Sequence, residues 1–170
     1  MQQQTIHIKQ EEKKICDLLG NVTDPEVPVL TILDLGIVRQ VAVEDNGIEI
    51  TITPTYSGCP AMDMIATNIR MELLAAGYKN ISIKNILSPA WTTEWMTQSG
   101  KDKLKAYGIA PPSDQPSVCH TDLFAPNEAI QCPQCNSYRT QRISEFGSTA
   151  CKSLYQCLDC KEPFDYFKCH

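Results

Sequence analysis

The sequence predicts an α+β protein, in which a small mixed sheet with packed helices is followed by a C-terminal β zinc ribbon. Two observations lead to this fold class. Over the first 110 residues the periodicity of apolar residues changes in the order α-β-β-α-β-α, which is typical of an α+β domain. Beyond them, six of the nine cysteines lie from residue 132 onwards. A chain of 170 residues is long enough to bury a core without disulfides.

The first three elements are a helix, a rigid loop and a hairpin. Residues 8–22 place Ile15 and Leu19 on one helical face. TDPEVPVL, residues 23–30, has two prolines in eight residues and predicts an ordered loop. The turn Asp45-Asn46-Gly47 lies between two alternating segments, and an Asn-Gly turn in that setting predicts a β-hairpin.

Three more elements complete the first part. Residues 60–78 repeat apolar side chains every three or four positions, which predicts an amphipathic helix. NISIKNI, residues 80–86, alternates and predicts a third strand. Residues 92–109 predict a mostly helical segment that is broken near Ser99-Gly100 and ended by Gly108.

Composition divides the chain into sections. Four prolines and little periodicity mark residues 110–129 as a connection. We therefore expect an α+β domain at 1–110, a Pro-rich linker at 111–128 and a zinc-ribbon domain at 129–170.

Charge and hydropathy exclude several classes of protein. The net charge of −5 disfavours a nucleic-acid binder. The N-terminus has no apolar secretory segment and no apolar run could span a bilayer, so we expect a soluble, cytoplasmic protein. In that compartment thiols stay reduced, and nine cysteines predict metal binding or thiol chemistry.

The cysteines of CPQC and CLDC have the spacing of a metal site. Two pairs, each with two residues between the sulfurs, are separated by twenty-one residues. Such pairs form knuckles that turn four sulfurs towards one centre, the geometry of structural zinc, which also fits a rubredoxin-like iron. The predicted metal ligands are Cys132, Cys135, Cys157 and Cys160. Unrelated surface thiols, or a redox pair at Cys132 and Cys135, explain the second knuckle less well.

The ribbon segment carries balanced charge. From residue 126 to the C-terminus five basic and five acidic residues cancel, so the segment is a poor phosphate binder. Phe164, Tyr166 and Phe167 are expected in its strand core. We interpret the ribbon as a structural or protein-docking module.

Cys59 lies between Gly58 and Pro60 where the second helix is expected to begin. At or beside the N-cap, its sulfur would face unpaired N–H groups and the positive end of the helix dipole, which favours thiolate. No histidine lies nearby in the sequence to act as a base, so the stretch suits a soft metal better than nucleophilic catalysis. A buried cysteine that only caps the helix is the alternative.

Other polar residues are open to more than one interpretation. Asp24 and Glu26 flank Pro25 in a rigid turn, where they could cap, dock a partner or approach a metal, with capping favoured for Asp24. Asp34 is expected in a turn. The remaining residues Cys119, Cys151, Cys169, His120 and His170 show no recognisable ligand spacing.

Three motifs resemble a known family. Asp-Pro-Glu at 24–26, Asp-Leu-Gly at 34–36 and Cys-Pro at 59–60 resemble the iron–sulfur assembly domain of SufT-type proteins and of eukaryotic cluster-targeting factors. The segment SPAWTTEWM at 88–96 is similar to the one that follows the third strand in that domain. With the ribbon motifs added, residues 10–169 resemble the PaaD family of phenylacetyl-CoA epoxidase systems.

The resemblance implies a non-catalytic accessory protein of aerobic phenylacetate degradation. It would mature or deliver iron–sulfur or iron centres to the oxygenase and reductase components of the epoxidase. Cys59 would be the transfer ligand of a labile iron–sulfur cluster, Asp24 and Glu26 would shape its pocket, and the ribbon would hold structural zinc. A homodimer would supply further cluster ligands. The alternative is a structural docking component of the oxygenase with no cluster of its own.

Overall fold

The computed structural model describes residues 2–44, 47–112 and 130–168, with side chains from residue 9 onwards. The predicted turn residues Asp45 and Asn46, most of the predicted linker, and Cys119, His120, Cys169 and His170 lie outside these ranges. Internal contacts divide the chain into two compact units, residues 1–91 and residues 92–170. The domain limits expected from the sequence stay a prediction.

The first unit is a mixed three-stranded sheet with two helices. Its elements are α1 (Gln2–Leu19), β1 (Val38–Glu44), β2 (Gly47–Ile52), α2 (Ala61–Ala75) and β3 (Ile81–Asn85). The strand order is β1-β2-β3, with β1 antiparallel and β3 parallel to the central β2. The hairpin, the third strand and the mixed sheet predicted from the sequence are therefore confirmed. A parallel pair needs a crossover, and α2 provides it.

The core of this unit lies between the central strand and the helices. Ile48, Ile50 and Ile52 alternate along β2 and are buried. Helix α2 contributes a buried apolar face, and α1 packs against α2 and β1. The largest side chains with less than 2% exposure here are Ile15, Leu19, Leu30, Ile32, Leu35, Ile37, Ile50, Ile52, Ile65, Ile69 and Leu73. The periodicity that predicts the helices and strands thus also predicts their buried faces.

The second unit begins with a helix. A 3-10 turn at Thr93–Trp95 precedes α3 (Gln98–Tyr107). The expected break near Ser99-Gly100 is wrong, because the side chain of Thr97 caps the helix by accepting a hydrogen bond from the Gly100 amide at 3.0 Å. The expected end is confirmed, since Gly108 adopts the left-handed conformation with φ of 90°.

An antiparallel ribbon of three strands follows in the same unit. The strands are β4 (Thr140–Ser144), β5 (Lys152–Cys157) and β6 (Pro163–Phe167), in the order β4-β5-β6. Ala110 extends the outer edge of β6, since its amide donates to the Asp165 carbonyl at 2.8 Å and its carbonyl accepts from the Phe167 amide at 2.9 Å. This bridge ties the chain just after α3 to the ribbon.

The ribbon has its own small core. Tyr155 stacks on Phe164 with ring centroids 5.9 Å apart and meets Tyr166 edge-on at 5.7 Å. Phe164, Tyr166 and Phe167 are all buried, as the sequence predicts. The buried cysteines Cys132 and Cys157 belong to the same cluster, so the metal site is built onto the core.

Replacing Gly47 with alanine tests the close approach of β2 to the chain before β3. Gly47 has φ of 149°, and an added Cβ would overlap the Asn80 carbonyl. We expect Gly47→Ala to lower the free energy of unfolding by about 2 kcal/mol or more, measured by denaturant unfolding. Gly77→Ala is the control, because that residue also has positive φ but has nothing within 4 Å. Gly77→Ala should lower the free energy of unfolding by only about 1 kcal/mol, through backbone strain. Equal decreases in the two variants would contradict the predicted clash at Gly47.

Candidate functional site

Four cysteines meet at one end of the ribbon. The sulfurs of Cys132, Cys135, Cys157 and Cys160 all lie within 4.8 Å of one another. The sulfurs of Cys132 and Cys160 are 3.7 Å apart, and those of Cys135 and Cys157 are 3.5 Å apart. The structure thus brings together the set predicted from spacing. Four sulfurs at these distances fit a tetrahedral soft cation such as zinc or iron.

The two knuckles have the same backbone geometry. In each, the amide just after the second cysteine donates to the carbonyl of the first, from Asn136 to Cys132 at 2.9 Å and from Lys161 to Cys157 at 3.1 Å. Asn136 and Lys161 both adopt the left-handed conformation, with φ of 61° and 68°. For lysine this costs on the order of 1 kcal/mol, and the strain is retained where it aims the sulfurs.

Side chains outside the quartet join the two knuckles, which spacing alone does not reveal. Asp159, inside CLDC, accepts hydrogen bonds from the Ser137 hydroxyl at 2.5 Å and the Arg139 guanidinium at 2.6 Å. The Leu158 amide also donates to the Arg139 carbonyl at 2.7 Å. These contacts hold the second knuckle against the residues that follow the first.

The pKa values in the quartet show how close the thiols are. Hydrogen bonds to the sulfur of Cys157, the strongest of them from the Cys160 amide, outweigh burial and lower the pKa of Cys157 to about 7. The Glu162 amide acts in the same direction on Cys160, but burial and bonds to the other thiols outweigh it and raise that pKa to about 12. Sulfurs so close share protons. A divalent cation displaces those protons, which is how thiolate sites bind metal.

Replacing one of the four cysteines with serine should therefore release the bound metal. We expect Cys135→Ser to lose most of the bound metal and to unfold the ribbon in circular dichroism, since one weak ligand breaks the tetrahedral set. Cys16→Ser is the control, because Cys16 is half-buried on α1 and outside the quartet. Equal metal content of both variants, measured by elemental analysis, would contradict the ligand set.

Cys59 lies just before α2 rather than at its N-cap. The helix begins at Ala61 and its N-cap residue is Pro60, so Cys59 lies beside the N-cap, one of the two positions expected from the sequence. The Ala61 amide donates a hydrogen bond to the Cys59 sulfur, as a cysteine at a helix start predicts. Tyr56 donates a second one from its hydroxyl. Tyr56 was not among the residues predicted from the sequence, although it lies only three positions before Cys59.

The carboxylates of the Asp-Pro-Glu turn act on the same sulfur. The charges of Glu26 and Asp24 both raise the pKa of Cys59, which places the two side chains near it. Asp24 also caps its own turn, accepting from the Glu26 amide at 2.8 Å and the Val27 amide at 2.7 Å. Asp24 therefore caps its turn, as the sequence favours, while its charge also acts on Cys59.

The expected preference of Cys59 for thiolate is wrong for the protein without a bound cation. Burial is the largest influence and raises the pKa of Cys59; the Ala61 amide lowers it, Glu26 raises it, the Tyr56 hydroxyl lowers it and Asp24 raises it, and the net shift is upwards. The two donors therefore do not offset burial and two negative charges. Thiol is the dominant form of Cys59 near neutral pH.

The Asp-Leu-Gly motif and the segment that follows β3 also make hydrogen bonds within the first unit. Asp34 accepts from the amide and the hydroxyl of Thr31, both at 3.0 Å, and so holds the turn expected there. The Trp91 indole donates to the Leu35 carbonyl at 2.8 Å and is 2% exposed. The Asp-Leu-Gly turn and the segment after β3 are thus joined.

Comparisons with known proteins agree with both units. The family model described as iron–sulfur cluster assembly protein matches residues 12–83, and the PaaD zinc beta ribbon domain matches residues 116–168. A protein of Escherichia coli (strain K12), provisionally named as the D component of 1,2-phenylacetyl-CoA epoxidase, is 50% identical over 92% of each chain. The chain belongs to the PaaD family.

Relatives that match only part of the chain are also found. An Fe-S protein maturation auxiliary factor of Porphyromonas gingivalis is 35% identical over 56% of the PaaD-family chain and 91% of its own length. A solved DUF59 structure from Bacillus anthracis is 28% identical, with a TM-score of 0.55, over 59% of this chain and 96% of that one. The DUF59 neighbour supports the predicted fold of helices packed on a small sheet.

Cys151 lies outside the metal quartet of this PaaD-family chain. It is buried and contacts the Thr149 hydroxyl at 3.0 Å.

Among the described residues, no helix is both long and apolar enough to span a bilayer.

The rate of alkylation tests the electrostatics at Cys59. Because the Glu26 charge raises the pKa of Cys59, Glu26→Gln should increase the thiolate fraction and speed iodoacetamide labelling of Cys59 at neutral pH. Site-resolved mass spectrometry measures the rate. Glu49→Gln is the control, because Glu49 has no part in the pKa of Cys59. Unchanged labelling in Glu26→Gln would contradict the assignment.

Proposed function

We propose that this chain matures the metal centres of a phenylacetyl-CoA epoxidase, delivering iron or an iron–sulfur cluster from Cys59 to the oxygenase or reductase component. The supporting observation is the group of polar atoms around one half-buried sulfur. Two carboxylates, a tyrosine hydroxyl and a helix-start amide all act on Cys59. The negative charge that disfavours thiolate there favours a cation.

The raised pKa of Cys59 suits reversible binding. Cation loading must displace the proton of Cys59, and release returns a proton to the sulfur. Because the pKa is raised, protonation competes with the cation at neutral pH, and the affinity of this site increases as the pH rises. A site with few ligands per chain and a competing proton releases its cargo readily. A second chain would add ligands, so loading on a homodimer is part of the proposal.

The ribbon has a separate, structural task in this proposal. Zn²⁺ held by the quartet would stabilise a unit whose hydrophobic core is small. Among the described residues the quartet is the one group of three or more neighbouring Cys, His, Asp or Glu side chains with metal-binding geometry.

The proposal is tested by expressing the epoxidase components with each variant of this chain. We expect Cys59→Ala to leave the components deficient in iron or labile sulfide and poor in epoxidation, and Cys16→Ala to resemble wild type. Cys16 is a suitable control because it is also a half-buried cysteine with a raised pKa, and it lies on α1 rather than at the start of α2. A fully metallated, active epoxidase with Cys59→Ala would overturn the proposal.

A second candidate is a structural docking component with no cluster of its own. It is favoured by one observation, that burial and two carboxylates keep Cys59 as a neutral thiol. It predicts stable co-purification with the oxygenase that is lost with Cys135→Ser and unaffected by Cys59→Ala.

A further inference from the structure

Helix α2 exposes an apolar seam on the face opposite the core. Met64, Met71 and Leu74 are 54%, 63% and 52% exposed, and Thr67 lies between them. These four positions follow the spacing i, i+3, i+7 and i+10, which is the pattern by which one helix packs along another. Thr67 interrupts the seam little, because its hydroxyl is satisfied by the Asp63 carbonyl at 2.8 Å within the helix.

Two charges of opposite sign flank the seam. Asp63 and Arg70 are exposed and seven residues apart, so they lie two turns apart on the same side. No ion pair or side-chain hydrogen bond joins either of them to another described residue. A helix that covers the seam can therefore place a basic side chain against Asp63 and an acidic one against Arg70.

The same charges disfavour a second copy of this chain as the occupant. The midpoint of the seam lies between Thr67 and Met71, beside Arg70. Antiparallel pairing about a two-fold axis would bring the two Arg70 guanidinium groups together, and like charges at such a position destabilise helix pairs. A different chain with an acidic residue there has no such penalty.

The seam lies on the helix that begins beside the transfer thiol. The first amide of α2, that of Ala61, donates to the Cys59 sulfur, and Met64 lies one turn further along the helix, about 5 Å along the axis. A partner helix that runs along the seam therefore passes the N-terminal turn of α2, which directly follows Cys59 and Pro60 in the chain. The two methionines add adaptable, unbranched contacts, which suit docking that must form and dissociate.

We propose that this seam docks an amphipathic helix of the metal-receiving epoxidase component, with an acidic residue opposite Arg70 and a basic residue opposite Asp63. The inference rests on the proposed delivery function and names its recognition surface. Docking along the seam orients the recipient towards Cys59 before metal is passed.

The test measures binding of the full chain to the purified oxygenase and reductase components, each immobilised separately, by biolayer interferometry. The double variant Met64→Gln/Met71→Gln removes the apolar contacts but keeps good helix formers. We expect it to weaken binding to the recipient about tenfold or more. Leu87→Gln is the matched control, because Leu87 is also 63% exposed and lies off the helix. It should bind as wild type does.

The role of the charges is tested separately. Arg70→Glu should weaken binding and flatten its dependence on salt, while Lys79→Glu, an exposed charge just beyond α2, should change both less. Normal binding by the methionine double variant, or no binding of wild type to either component, would overturn the inference. A wild-type dimer that the double variant dissociates would identify a second copy as the occupant instead. A fall in the melting temperature of the double variant would show that the seam is already packed, and would also overturn it.

Cys59→Ala separates the two proposals. It should bind the recipient normally and fail to deliver metal, whereas the methionine double variant should fail at both. If Cys59→Ala fails to deliver and the double variant binds and delivers normally, only the seam is wrong. If Cys59→Ala delivers normally, the transfer function is wrong, and the binding measurement still decides the seam.

Discussion

The parallel pairing of β2 and β3 is the constraint on which the first unit depends. Parallel neighbours cannot be joined by a tight turn, so the chain must leave the end of β2, cross over as α2 and return. The start of the crossover helix is therefore placed at the end of the central strand. Cys59 occupies that position and receives a hydrogen bond from the first helical amide. Fold topology thus places the thiol, and loop residues determine its chemistry.

The carboxylates of the Asp-Pro-Glu turn make the surroundings of Cys59 negative, so this sulfur binds protons and cations under different conditions from the ribbon cysteines. In the ribbon, backbone amides and neighbouring thiols surround four sulfurs that could share one cation. At Cys59, burial and the carboxylates of Asp24 and Glu26 favour the protonated sulfur. A tetrahedral quartet retains its metal, and a single protonatable sulfur exchanges it. The proposed function therefore assigns a permanent metal to the ribbon and a transient one to Cys59.

Much of this could be predicted from the sequence, because the decisive signals are local. Periodicity located each helix and strand of the first unit, and the spacing of CPQC and CLDC identified a quartet whose sulfurs do converge. One miss has a local cause and the others have tertiary causes. The start of α3 depends on the Thr97 cap, which competes with Ser99 and Gly100 as a break signal. The raised pKa of Cys59 depends first on burial and then also on carboxylates more than thirty residues away in the sequence, and neither is visible in the local motif. The link from Asp159 to Ser137 and Arg139 also joins distant segments, and no spacing rule encodes it.

Two soft-metal sites with separate tasks, one in the ribbon and one at Cys59, form the central claim. The most direct measurement is the zinc, iron and acid-labile sulfide content of wild type and Cys59→Ala, both purified without oxygen. Equal zinc is expected in the two proteins, with iron and sulfide only in the wild type. Equal iron and sulfide in both would contradict the claim, because the cargo would then be bound without Cys59.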